Sequence, residues 1–308
     1  MPDLSVIIVN WNVRALLRRC LHSILARPHP CSLEVIVVDN GSTDGSAEMV
    51  RTEFPQAHLI ANPDNRGFTA ANNQGLTVAR GRYVLLLNPD TEVVGDALET
   101  MVTFADAHSD VGVVGPQLLN PDGTVQSSRR RFPSLATALF ESTWLQPYAP
   151  HRLLARYYVL DRPDDEVQDV DWVTGAALMA RREAVEQVGP LDEGFFMYSE
   201  ELDWCRRFRA AGWRVVYLPT ARVIHHEGKS SEQVLPARHI HFQTSKIRYF
   251  RKYHGPAAAE VLRLVLLGNY LWQIGLEGAK WLLGHKRPLR AERIAAYRQV
   301  VRSLAGRG

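Results

Sequence analysis

Cysteine is scarce in this chain. Its 308 residues hold three, Cys20, Cys31 and Cys205. They are odd in number and widely spaced, which fits neither a disulfide framework nor a metal-ligand pattern and favours a reducing compartment. The start, Met1-Pro2-Asp3-Leu4, has no basic segment followed by an apolar one, which argues against a secretory signal. No G-x-G-x-x-G follows the first apolar run and no G-x-x-x-x-G-K-[ST] occurs, so a dinucleotide fingerprint and a P-loop are both missing. Repeats and low-complexity segments are absent as well. The most apolar stretch, residues 264–284, is interrupted by Glu277 and Lys280 and loosened by four glycines. It falls short of the clean run of about 20 residues that spans a membrane.

What remains is ordinary for a globular protein: 46% hydrophobic and 22% charged residues. The length suggests about two domains and a core that needs no covalent staple. The net charge of +3 hides an asymmetry, since residues 236–308 carry 14 Lys/Arg against 3 Asp/Glu, a net of +11. The rest, 22 basic against 30 acidic residues, carries −8. A basic tail on an acidic body points to an anionic partner, a membrane surface or a nucleic acid. No nucleic-acid-binding motif accompanies it, so nucleic acid is not expected. Tyr270, Trp272 and Trp281 with flanking Arg/Lys fit a helix lying in a membrane surface; a helix packed on the protein body is the other reading.

The chain is organised around Tyr83–Leu87, an apolar run without alternation, the mark of a strand buried on both faces. Asn88-Pro89 ends it, because proline has no N–H for the ladder. Asp90 is then presented past the carboxyl end of a central strand, where ligands sit in open α/β sheets. It either caps the next helix or holds a divalent cation against a diphosphate. Around this strand the pattern predicts strands at 4–10, 34–38, 58–60 and 111–114. Helices are expected at 14–26, 46–53, 67–80 with Gly81 as C-cap, and 95–108. Such alternation argues for a parallel α/β sheet. Beyond residue 115 the rhythm changes. Residues 116–150 are irregular, 161–171 form an acidic loop, and 173–181 read as a strand. Helices follow at 182–188 and 199–211, strands at 214–218 and 222–224, and a basic helical region from 238 on.

Several clusters carry chemistry. Asp39 ends the second strand as Asp90 ends the fourth, so both face one sheet edge. A carboxylate there accepts from a ribose hydroxyl or a base N–H; the alternative is an Asx-turn with Asn40-Gly41. Glu200-Glu201-Leu202-Asp203 opens a helix, where acidic residues suit the dipole. Aromatic bulk at 194–198 could instead desolvate one carboxylate into a general base. Arg206 and Arg207, one turn on, can pair with Asp203 or Glu200, or meet a phosphate. A histidine from His225-His226 near Asp90 would complete a mixed oxygen/nitrogen site suited to Mn²⁺ or Mg²⁺. Trp172 and the small residues Gly175 to Ala177 either stack on a sugar ring or form close-packed core. Arg129 to Arg131 either clamp phosphate or line an exposed loop. The turn at 62–68 either binds an anion at a helix start or simply caps it.

Five motifs occur in a fixed order: Ser5-Val6-Ile7-Ile8-Val9-Asn10-Trp11-Asn12, Val38-Asp39-Asn40-Gly41-Ser42-Thr43-Asp44-Gly45-Ser46, Asn65-Arg66-Gly67-Phe68, Leu87-Asn88-Pro89-Asp90 and Phe195-Phe196-Met197-Tyr198-Ser199-Glu200-Glu201-Leu202-Asp203. Over about residues 4–231 the chain resembles a family 2 glycosyltransferase of GT-A fold, close to its rhamnosyltransferase-like branch. The resemblance implies a Rossmann-like mixed α/β sheet with a basic C-terminal helical extension. It divides the chain into a nucleotide-sugar-binding subdomain (1–115), an acceptor-binding and catalytic subdomain (116–235) and a helical, membrane-associating region (236–308). The activity it implies is inverting transfer from a nucleotide-diphosphate sugar, with dTDP-rhamnose as the guess. The acceptor would be a hydroxyl of a lipid-linked or polysaccharide glycan in cell-surface synthesis. The protein would be cytoplasmic and peripheral at the inner membrane face.

By the family pattern Asp39 holds the nucleotide base, and Asn10, Asn12, Asn40, Gly41, Asn65, Gly67 and Phe68 complete the donor site. Asp90 binds the metal, Mg²⁺ or Mn²⁺, with Asn88 at the first position of the D-x-D-like motif. The spacing to Ser230 favours His225 as the further metal ligand. Trp172 and Gly175 line the donor–acceptor junction. Glu201 inherits the base role from the family's usual aspartate, with Glu200 as the fallback. The alternative is a non-catalytic nucleotide-sugar-binding subunit of the same fold, to which the glutamate at position 201 points.

Overall fold

A computed structural model describes residues 1–141, 143–226 and 235–306. Ser230, which enters the spacing argument for His225, lies outside them. In chain order the elements are β1 (Leu4–Asn10), α1 (Arg14–Leu25), β2 (Leu33–Asn40), α2 (Ser46–Glu53), β3 (His58–Asn62), α3 (Phe68–Val78), β4 (Tyr83–Leu87) and β5 (Thr91–Val94). Then come α4 (Ala97–Ala107), β6 (Val111–Leu119), β7 (Val125–Gln126), β8 (Arg129–Arg130), α5 (Leu135–Phe140), α6 (His151–Tyr157), β9 (Gln168–Asp169), β10 (Trp172–Val173) and β11 (Ala177–Arg181). The chain closes with α7 (Arg182–Val188), α8 (Glu200–Ala210), β12 (Arg214–His225), α9 (Leu235–Leu282) and α10 (Arg287–Ala305).

One sheet runs β3-β2-β1-β4-β11-β6-β12-β5, with β7 on β6 and β9 on β12. β3, β2, β1 and β4 are parallel, as the alternating pattern predicts. The sheet as a whole is mixed, because β11 enters antiparallel between β4 and β6. The expected neighbour of β4 is therefore displaced by a strand from late in the chain. All five residues of β4 are buried, with Leu85, Leu86 and Leu87 only 1%, 2% and 2% exposed. Each such leucine contributes up to roughly 2 kcal/mol by leaving water.

Three local expectations change. α3 stops at Val78 with Ala79 extended, so Gly81 is not its C-cap. Gly81 instead lies against β1, where an added Cβ would sit 2.5 Å from the Ser5 nitrogen. The expected strand 173–181 is two strands, β10 and β11, separated by a turn at 174–176. The boundary expected at residue 115 falls inside β6, and β11 and β12 share the sheet of β1–β4.

Contacts group the chain into two compact units, the first being Met1–Phe132, Tyr158–Phe196 and Glu200–Ser230. The second is Pro133–Tyr157, Met197–Ser199 and Ser231–Gly308. In the second, α9 kinks at Gly255 (φ 86°), followed by Pro256, which cannot donate to the helix ladder. Leu262, Leu266, Tyr270, Val300 and Leu304 are buried there. Arg290 donates to Glu277 at 2.7 Å inside the same unit. Among the described residues no helix is long and apolar enough to cross a membrane.

Candidate active site

The carboxyl ends of β1 and β2 meet in register, Asn10 opposite Asp39. Asn10 Nδ2 donates to Asp39 Oδ1 at 2.8 Å, and the Ser42 N–H donates to Asp39 Oδ2 at 3.0 Å. The Asx-type turn leaves each carboxylate oxygen a second lone pair. Asn12, at φ 54°, accepts from the Thr43 N–H at 2.8 Å and donates its own N–H to Ser42 Oγ at 2.9 Å. Asn10 Oδ1 is enclosed without a hydrogen-bond partner.

The next group shapes a loop. Asn40 Nδ2 donates to Asn65 Oδ1 (2.9 Å) and the Gly67 carbonyl (3.2 Å), while its Oδ1 accepts from Asn62 and the Arg66 N–H. Gly41 (φ 74°) lies against the Asp64 backbone, 2.8 Å from where a Cβ would stand. Gly67 (φ 87°) lies equally close to the Phe196 ring, 2.7 Å from a built Cβ. Larger residues at either position meet both strain and collision. The Phe68 and Thr69 N–H groups both donate to the Phe196 carbonyl, at 2.9 and 3.4 Å. That carbonyl occupies the start of α3, so the anion expected there gives way to a cap from within the protein.

At the end of β4 the Asn88 N–H donates to the Ala176 carbonyl (2.9 Å), joining it to the turn before β11. Two residues on, Asp90 is 3% exposed, and its Oδ1 is enclosed without a hydrogen-bond partner. β5 pairs antiparallel with β12 and sets His225 opposite Thr91. His225 Nε2 then lies 3.4 Å from Asp90 Oδ1. On its other side Nδ1 lies 2.7 Å from Gln126 Oε1, and Gln126 Nε2 donates to Asn120 Oδ1 at 3.0 Å. The imidazole is thus set between the Gln126 amide and the Asp90 carboxylate. A buttressed imidazole beside a carboxylate is a donor set that suits Mg²⁺ or Mn²⁺, which take few protein ligands alongside water and phosphate. Among the described residues no larger cluster of His, Cys, Asp or Glu forms a metal site. His226 faces away and meets Glu92 at 2.7 Å.

The chain enters α8 through two left-handed residues, Tyr198 (φ 69°) and Ser199 (φ 64°). Glu201 lies over Gly175, whose built Cβ would be 3.5 Å from Glu201 Cβ and 3.7 Å from Cδ. Gly175 directly precedes Ala176, whose carbonyl accepts from the N–H of Asn88, two residues before Asp90. Oε2 of Glu200 and Oε2 of Glu201 are both enclosed without hydrogen-bond partners. Burial, and then the charge of Glu201, hold Glu200 well above the ordinary 4.5. Burial also raises Glu201, while backbone N–H groups, Gly175 among them, and the Arg130 charge pull it back. Burial thus raises both carboxyls of the pair above the ordinary value.

Other candidates make contacts within the protein. Asp203 is fully buried and accepts from Arg207 at 2.9 Å, whose remaining donors hold the Val188 and Pro190 carbonyls. The Arg206 guanidinium covers the Phe132 ring at 5.2 Å. Trp172 is 8% exposed and donates its indole N–H to the Arg131 carbonyl. Arg129 is buried on the Pro163 and Arg162 carbonyls, and Arg130 lies over Tyr158 at 4.6 Å. Neither is the open phosphate clamp considered above. Gln126 carries no local signal in the sequence; only long-range pairing brings it to His225.

The family model for "Glycosyl transferase family 2" matches residues 5–189. It takes in Asp39 and Asp90 and stops short of Glu201 and His225. The N-acetylglucosaminyl-diphospho-decaprenol L-rhamnosyltransferase of Mycobacterium tuberculosis is 32% identical over 251 residues, covering 77% of this chain and 80% of that protein. The low-salt glycan biosynthesis hexosyltransferase Agl10 of Haloferax volcanii is 26% identical, covering 74% and 68%. Among solved structures, the mannosyltransferase PcManGT of Pyrobaculum calidifontis, in complex with GDP-Man and Mn2+, matches with TM-score 0.58 at 18% identity, over 99% of this chain and 86% of that one. S. aureus TarS 1-349 matches with TM-score 0.51 at 17% identity, over 98% and 91%. At those identities the structural matches speak to the fold, which is GT-A. The chain is a glycosyltransferase and belongs to glycosyl transferase family 2.

Proposed function

We propose that this glycosyltransferase inverts the anomeric centre of a nucleotide-diphosphate sugar, with Glu201 as the base. The observation that carries the proposal is Glu201 Oε2, enclosed without a hydrogen-bond partner on a side chain that lies over Gly175, beside the turn whose Ala176 carbonyl holds the Asn88 N–H. Glu201 takes the proton of an acceptor hydroxyl as that oxygen bonds to C1 of the sugar. The bond from C1 to the diphosphate breaks, and its electron pair leaves on the β-phosphate oxygen. One displacement with one base inverts configuration, whereas retention would need a nucleophile as well. Glu200, whose carboxyl burial raises, favours a single charge at the pair.

Asp90 and His225 would hold Mg²⁺ or Mn²⁺, with Gln126 fixing the imidazole. When bound, the cation neutralises charge on the departing diphosphate. Asp39, held by Asn10 and Ser42, and Asn10 Oδ1 supply acceptors for the base and ribose. Asn12, Asn40, Gly41, Asn65, Gly67 and Phe68 shape the loops around them, and Asn88 ties β4 to the base side.

The rhamnosyltransferase relative supports rhamnose as the transferred sugar and a lipid-linked acceptor; dTDP-rhamnose as the donor and a place in cell-surface glycan synthesis complete the proposal. A lipid-borne acceptor makes the protein cytoplasmic and peripheral at the inner membrane face. The test is transfer from dTDP-rhamnose to a polyprenyl-diphosphate sugar, with product configuration read by NMR. An α-linked product from a β-configured donor supports the proposal, and a retained configuration rules it out.

A further inference from the structure

We propose that the outward stripe of α9 after its kink, extended by Trp144, seats on the surface of an anionic lipid bilayer. This deepens the membrane-peripheral reading by naming the face and the lipid charge. An amphipathic helix in water turns polar side chains outward. Here the outward face is apolar as well as the inner one. Its exposed apolar positions are Val261 (46%), Leu264 (55%), Leu271 (56%), Trp272 (58%), Leu276 (43%) and Leu282 (72%). The other exposed positions between 257 and 279 are glycine or alanine, and the charge at the edge of that length, Glu260, is paired with Arg263. Polar groups are inside instead: Gln243, Asn269, Glu277 and Arg290 are all buried.

The stripe runs for about 30 Å at the helical rise. The Trp144 ring, 45% exposed, lies 5.9 Å from that of Trp272 and widens it from a second segment. At its far end the Arg287 guanidinium covers the Trp281 ring at 5.2 Å, and Lys286 and Arg293 are exposed nearby in sequence. Tryptophan beside cations is the composition of a membrane–water interface. Residues 236–308 carry a net +11, which draws the region to anionic lipid and opposes pairing with a second copy of equal charge. Since no described helix is apolar enough to cross, the stripe lies along the surface.

Flotation of the full chain with vesicles of phosphatidylcholine and phosphatidylglycerol in equal parts tests this without donor or acceptor. The wild type should float with them, less so at high salt and less with phosphatidylcholine alone. A Leu271→Glu, Trp272→Glu double variant should lose binding by about tenfold or more while keeping its thermal midpoint, because both side chains are already in water. Equal flotation of variant and wild type overturns the proposal, as does a wild type that stays with the soluble fraction. A wild-type dimer that the double variant dissociates overturns it in favour of a second copy on this face. Flotation that persists in a protein with no transferase activity upholds the surface and counts only against the transfer chemistry.

Discussion

Replacing Glu200 by glutamine should change how stability depends on pH. The Glu200 carboxyl is enclosed, and burial with the neighbouring Glu201 charge holds it well above 4.5. Below pH 4.5 the folded and unfolded chains both carry this proton, and the group contributes its full stability. As pH rises further, the unfolded chain releases the proton while the folded one retains it. Stability is lost through that window until the folded carboxyl ionises as well. The slope is about 1.4 kcal/mol per pH unit for one group. Glutamine has nearly the same shape and cannot titrate, so its amide adds only an offset independent of pH. Urea midpoints measured from about pH 4 to pH 9 should therefore show the variant gaining on the wild type above 4.5, then running level. The pH at which the gap stops growing reads the folded carboxyl directly. Parallel curves over the whole range would refute the claim that burial raises the Glu200 carboxyl.

Three further outcomes separate structural from chemical roles. Asp90→Ala should abolish the dependence of nucleotide-sugar affinity on divalent cation; calorimetry showing that chelator still weakens binding in the variant would move the metal elsewhere. Gln126→Leu frees His225 Nδ1 and should weaken Mn²⁺ affinity by about 10–100-fold, read by titration with donor present. Asp203→Ala strands Arg207, 22% exposed, without its carboxylate, and should cost about 2–3 kcal/mol in chemical denaturation while spared protein still transfers sugar. A stable but inactive Asp203→Ala protein would give that carboxylate a part in the reaction.

The parallel half of the sheet is legible in the sequence because its signals are local. β1, β2 and β4 are built on the apolar runs 6–9, 35–38 and 83–87, and polar residues follow at their carboxyl ends, Asn10, Asp39 and Asp90. The antiparallel half is not legible in this way. β11 takes its place through partners some 90 residues earlier, and β5 exists only because β12 returns to pair with it. Local periodicity carries no information about such pairing. Gly81 shows the same limit: its position after a helical pattern suggests a cap, while the packing of Ser5 decides its role. Within the acidic cluster the sequence offers three carboxylates. Only tertiary contacts sort them into one bound to Arg207, one buried beside its neighbour's charge and one lying over Gly175. Trp172 and Arg129 read as ligand contacts by residue type; in the fold each is buried and donates to carbonyls of the protein.

The most direct measurement compares Glu201→Gln with the wild type in single-turnover transfer alongside donor affinity. If Glu201 takes the acceptor's proton, kcat should fall by about 10²–10⁴-fold with nucleotide-sugar Kd nearly unchanged. Turnover within a few-fold of the wild type would contradict the account and give the base role to another residue.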